Sequence, residues 1–217
     1  MRWNLDFRRL SQVFRMTTTI SQRAPIFSLC VYCGSRPGNS PVFVDLAQRV
    51  GAWIGCHGGQ LVYGGGSNGL MGVLADATLA AGGRVVGVIP KALVEKEWAH
   101  HGCTELHIVE SMHDRKRIMA ENADAFLALP GGIGTLEEFF EVWTWRQLGY
   151  HHKPVGLLNL NGYYDNLLAF LSTAVETGFM SDALMKLIQI GTDVVPLLPD
   201  LVNAAGVSSS RTALDQI

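Results

Sequence analysis

The chain has 217 residues, a formal net charge of -2, 48% hydrophobic residues and 17% charged residues. That length supports one α/β domain with a sizeable core, and the near-neutral balance excludes the clustered cationic field of a duplex-binding protein. No apolar run reaches the roughly 18 to 20 residues that span a bilayer, so we expect a cytoplasmic single-domain protein with neither nucleic acid nor membrane as a partner.

Residues 1–24 carry Arg2, Arg8, Arg9, Arg15 and Arg23 against one acid, Asp6. This reads as a disordered basic extension, with a targeting peptide or an upstream extension before Met16 as alternatives; it lacks the apolar core of a secretory signal. From Ile26 onward, short apolar runs alternate with longer periodic segments, and glycine or proline marks each switch. Strands are expected at Ile26 to Tyr32, Gln60 to Tyr63, Arg84 to Ile89, Glu105 to Val109, Ala125 to Leu129 and Val155 to Leu158, with a weaker one near Ile188 to Ile190. Helical periodicity covers Pro41 to Gly55, Gly69 to Ala81, Asp114 to Asn122, Leu136 to Leu148 and Tyr163 to Thr177. This βαβ rhythm implies an α/β class, a parallel sheet with helices on both faces. The domain is expected over residues 25–200, with a tail over 201–217 that frays around Ser208, Ser209 and Ser210.

Four cysteines, Cys30, Cys33, Cys56 and Cys103, are few for a disulfide scaffold. Cys30 and Cys33 form a CxxC, but strand alternation sends residues three apart to opposite faces, so they read as core residues. His100, His101, His151 and His152 sit in polar loops with no third ligand at metal spacing and read as solvent-exposed. Trp143 and Trp145 read as packing residues or a helix-helix dimer contact. Met71 and Met112 suit either a base pocket or the core.

In a parallel sheet the ligand sits beyond the carboxyl ends of the strands, so the loops after strands matter most. Three are rich in small residues: Cys33-Gly34-Ser35, Gly64-Gly65-Gly66-Ser67 and Pro130-Gly131-Gly132-Ile133-Gly134-Thr135. Glycines between a strand and a helix let backbone N–H groups approach an anion, and the helix dipole adds partial positive charge. Phosphate is the natural guest, with Thr135 as a further donor and Leu136 opening the helix. Glu137 and Glu138 then fall in its first turn, where acids are also welcome simply through the dipole. Upstream, His113-Asp114-Arg115-Lys116-Arg117 gathers cations at a loop-to-helix junction, and arginine's planar fork suits phosphate or carboxylate.

Pro130 to Glu138 reads as PGGxGTxxE, and Met112-His113-Asp114-Arg115-Lys116 as MHxRK. Together they resemble the LONELY GUY (LOG) family of cytokinin riboside 5'-monophosphate phosphoribohydrolases, often mislabelled lysine decarboxylases. The likeness extends through Gly64 to Gly72, Pro90-Lys91 with Glu97, and Trp145 to Asn159, covering roughly Ile26 to Leu187. It implies a Rossmann-like homodimer that hydrolyses N6-substituted adenosine monophosphates, and often AMP, to free base and ribose 5-phosphate, with no metal or organic cofactor. By motif position it makes Arg115 and Glu138 the catalytic pair. Ser35, Glu97, Met112, Lys116, Gly131, Gly132, Ile133, Gly134, Thr135, Leu136 and Glu137 become the substrate contacts. The family's CGSS is CGSR here, which leaves Arg36 without an assigned role.

Three rival functions are weighed on the same residues. A non-hydrolytic nucleotide-binding module would use the same loops and predicts AMP binding without release of adenine. A dinucleotide oxidoreductase calls for GxGxxG after the first strand, where Cys33-Gly34-Ser35-Arg36-Pro37-Gly38 stands instead. A decarboxylase needs a lysine for a pyridoxal phosphate Schiff base, whereas Lys116 beside Arg115 fits a phosphate clamp.

Overall fold

A computed structural model describes residues 24–96 and 98–207. The basic stretch through residue 23, Glu97 and the serine-rich end from residue 208 lie outside the described residues. Seven strands form the sheet: β1 (Ser28–Tyr32), β2 (Gln60–Tyr63), β3 (Arg84–Pro90), β4 (Glu105–Val109), β5 (Ala125–Ala128), β6 (Val155–Leu158) and β7 (Ile188–Gly191). Between and after them run α1 (Pro41–Cys56), α2 (Gly69–Ala80), α3 (Lys91–Val94), α4 (Met112–Glu121), α5 (Ile133–Gln147), α6 (Asp165–Glu176), α7 (Asp182–Met185) and α8 (Val194–Ala204). All neighbouring strands are parallel, in the order β4-β3-β2-β1-β5-β6-β7. The weakest expected strand, near Ile188, is a full member of the sheet, paired from Val155↔Ile188 to Leu158↔Gly191.

Alternation along each strand builds two cores. Leu29, Val31 and Cys33 face one side with Leu46 and Val50 of α1, Leu74 of α2 and Leu201 of α8. Cys30 and Tyr32 face the other with Met119 of α4, Phe139 and Trp143 of α5, and Leu171 of α6. The CxxC is thus split between the faces, and burial pushes the Cys30 thiol up to about 12, which keeps it protonated. Strand order reverses between β1 and β5: from β1 the chain winds outward through β2, and from β5 it winds the opposite way through β6. The loops after β1 and β5 therefore part at a crevice, the place where open α/β sheets bind ligands.

Three expectations need correcting. The helix after β5 starts at Ile133 with Gly132 as its N-cap, not at Leu136, so its first turn holds no acid. The chain continues folding past residue 200: α8 ends at Ala204, and Leu201 and Val202 are buried. Pro196 and Pro199 disguise this helix, but Val194, Leu197, Leu198, Leu201 and Val202 are all buried at helical spacing, so tertiary burial outweighs the cost of proline. Finally, α4 begins at Met112, two residues early, because Ser111 caps it by accepting from the Asp114 N–H at 3.0 Å.

Candidate active site

The three glycine loops are stitched together by main-chain hydrogen bonds. Gly34 N–H donates to Pro130 O at 3.2 Å, and Leu70 N–H donates to Gly34 O at 3.0 Å. Gly69 has φ +59°, and a Cβ there would fall on the backbone of Ser35 and Arg36, so only glycine fits between the loops after β1 and β2. Tyr163 Oη donates to Gly131 O at 2.7 Å and buttresses the third loop from the β6 side. Beneath it Tyr164 Oη donates to Leu129 O at 2.7 Å.

These loops enclose a cavity of about 630 Å³. Ser35, Gly131, Gly132, Ile133, Gly134, Thr135, Arg115 and Glu138 line it, as does Arg36. A Cβ at Gly132 or Gly134 would meet nothing within 4 Å, so the N-terminus of α5 opens onto free space. The orphan N–H groups of that first turn are the donors a phosphate needs.

Arg115 and Glu138 come from different helices and meet inside the cavity. The Arg115 Nη1 donates to Glu138 Oε1 at 2.7 Å, while its Nε donates to Val88 O at 3.1 Å. The two side chains are only 9% and 12% exposed, which makes the pair a partly desolvated one. Burial pushes the Glu138 carboxyl above the ordinary glutamate range, and the charge of Arg115 opposes that rise. The second acid, Glu137, has a different role. It accepts from Lys116 Nζ at 2.6 Å, and Glu141 accepts from the same ammonium at 2.9 Å. Burial works against the charge of Lys116, but the hydrogen bonds to Glu137 and Glu141 and the charges of those carboxylates together outweigh it and raise its pKa.

Four of the expected substrate contacts lie off the cavity lining. Lys116 and Glu137 point into the α4–α5 seam, Leu136 packs on the second core, and Met112 is exposed at the start of α4. Helical geometry is the reason. With α5 starting at Ile133, residues 133, 134, 135 and 138 border the cavity, while 136 and 137 turn away from it. Glu97 lies outside the described residues. Sequence reasoning missed Phe43, Ile89, Leu93, Trp98 and Tyr163, which also line the cavity and bear no motif; an aromatic residue in a loop, as at Trp98, was the available hint. Met71 does line it.

Of the loop histidines, His101 and His152 are exposed as expected, but His100 and His151 are half-buried. His100 Nδ1 accepts from Gly102 N–H, so its Nε2 donates to Asp76 at 3.0 Å. His151 Nδ1 accepts from Lys153 N–H and its Nε2 donates to Val142 O at 2.9 Å. Both rings brace loops. Trp143 is buried and donates to Leu184 O at 3.1 Å, a packing role.

A sequence-family profile described as "Possible lysine decarboxylase" matches residues 71–201. The cytokinin riboside 5'-monophosphate phosphoribohydrolase of Rhodococcoides fascians is 49% identical over 180 residues, 82% of this chain and 91% of that protein. Its counterpart LOG1 of Arabidopsis thaliana is 52% identical over 153 residues, 70% of this chain and 72% of that one. The chain belongs to the LONELY GUY family. Among solved structures, the Moco carrier protein of Chlamydomonas reinhardtii superposes with a TM-score of 0.62 at 20% identity, covering 85% of this chain and 99% of that one. At that identity it is the Rossmann-like LOG fold that is shared. In this LOG chain the motif halves MHxRK and PGGxGTxxE meet through Arg115 and Glu138, one residue from each, across the α4–α5 seam. Among the described residues no helix is long and apolar enough to cross a membrane.

Proposed function

We propose that this LOG chain hydrolyses adenosine-type nucleoside 5'-monophosphates, N6-substituted or plain, to the free base and ribose 5-phosphate. The observation that carries the reading is the Arg115–Glu138 pair, largely desolvated, on the wall of a cavity whose neighbouring wall is an open helix N-terminus. The phosphate rests on the amides of Gly132 to Gly134 with Ser35 beside it, and the sugar's anomeric carbon faces Glu138. As the bond from that carbon to the base nitrogen breaks, positive charge builds on the ribose, and the carboxylate stabilises it. Water's oxygen bonds to the anomeric carbon, Glu138 takes one water proton, and the departing base nitrogen receives a proton in turn. A carboxyl with a raised pKa is suited to hold and return that proton. Arg115 keeps Glu138 oriented and partly ionised. The same proposal includes a cytoplasmic homodimer, for which light scattering of the purified chain is the check.

The test is direct assay of adenine release from AMP and from adenosine. Release that requires the 5'-phosphate and falls on the order of 100-fold or more in Glu138→Gln supports the reading. Tight AMP binding without base release would instead make the chain a nucleotide-binding module.

A further inference from the structure

The phosphate and sugar positions leave one end of the cavity unassigned. Leading away from the reacting pair, a Cβ at Gly64 would run into the Arg115 guanidinium and lie 3.0 Å from Met71 Cε. A Cβ at Gly66 would lie 2.9 Å from the same methyl and 3.8 Å from Trp98 O. These contacts trace a wall from Arg115 past Met71 to the Trp98 backbone. A base attached to a sugar at Glu138, with its phosphate on α5, has this direction open to it.

Of the aromatic side chains that line the cavity, Phe43 and Tyr163 stand edge to face at 5.7 Å, and Tyr163 is tied to Gly131. They belong to the phosphate end. Trp98 is at the other end, 46% exposed, and among the described residues its indole has no aromatic partner. Its backbone is held firmly nonetheless. Trp98 O accepts from Ser67 N–H at 2.9 Å and from Ser67 Oγ at 3.3 Å, and Ala99 forms an antiparallel bridge with Gly66. His100 N–H donates to Gly65 O at 2.9 Å, and the His100 ring is anchored on Asp76. Lys96 Nζ, 5.4 Å from the ring centroid, further restrains the indole. A large flat apolar surface is thus presented on a pinned strap, so a base stacking on it orders little that is not already ordered.

We propose that Trp98 is the stacking platform for the base and favours the two-ring purine over a pyrimidine. The proposal rests on the phosphate placement given under Proposed function. It is tested by kinetics of Trp98→Ala and Trp98→Phe with AMP and CMP, using ribose 5-phosphate as a competitive inhibitor that carries no base. The expected result is a rise of about tenfold in the KM for AMP in Trp98→Ala. The kcat holds, the preference for AMP over CMP narrows, Trp98→Phe recovers most of the loss, and the inhibition constant of ribose 5-phosphate stays the same. An unchanged KM for AMP overturns it, and so does an equal weakening of ribose 5-phosphate, which would mean general damage to the cavity. If the wild-type chain releases no adenine from AMP, the functional reading falls and takes this one with it; if it does and Trp98→Ala is normal, only the stacking role falls.

Discussion

A methyl group at position 64 would occupy the same space as the end of the Arg115 side chain. Because that end is flexible, Gly64→Ala should displace the guanidinium and leave the fold standing. We expect a fall on the order of 100-fold in AMP turnover, with a Tm loss smaller than that of Arg115→Ala; full activity in Gly64→Ala would show that the guanidinium's position is irrelevant. The pH profile should follow Glu138. With its pKa raised by burial, activity of the ionised carboxylate is lost as pH falls through a value above the ordinary glutamate range. The charge of Glu137 contributes to that rise, so Glu137→Gln should move the acid limb of kcat/KM to lower pH, and a limb that moves upward would contradict the assignment. At this scale the pair was legible through the motif positions of the LOG resemblance, and Arg115 and Glu138 do meet. Lys116 and Glu137 were not separable from them, since neighbours in a motif turn to different faces only once the helix start is known.

The elements decide which donors are free. Since α5 begins at Ile133, the amides near Gly132 and Gly134 open onto the cavity, and a methyl there meets no protein atom. Gly134→Ala should therefore leave Tm unchanged while raising the KM for AMP, as a methyl intruding on bound phosphate would; a normal KM would place the anion elsewhere. The sequence showed this loop as phosphate-binding but put the helix start three residues late, because Gly134 looks like loop and yet lies in the first turn behind the extended Gly132 cap. Helix α8 was missed for a related reason. Its prolines spoke against a helix, while its apolar spacing is satisfied by packing on β6, β7 and α1, as where a Cβ at Gly156 would lie 2.6 Å from Leu201 Cδ1. Leu201→Ala should cost about 3 kcal/mol in a denaturant melt, and truncation after Asp200 should cost more; indifference to either would return this segment to the status of a tail.

The whole molecule brings the loops after β1, β2 and β5 to one edge of a seven-stranded parallel sheet, at the point where its winding reverses. That much was readable from the period of apolar runs and the glycines ending them, because a parallel sheet with helical crossovers leaves few other arrangements. The strap carrying Trp98 was not readable, since its hold depends on hydrogen bonds to Gly65 and Ser67 across some 30 residues of chain with no local signature. The central claim concerns that shared edge, and the most direct measurement is a crystal structure of Glu138→Gln soaked with AMP. The account predicts phosphate oxygens within hydrogen-bond distance of the α5 amides and the anomeric carbon facing residue 138. Phosphate bound away from the Gly131 to Thr135 loop, or a side chain at 138 turned from the sugar, would contradict it.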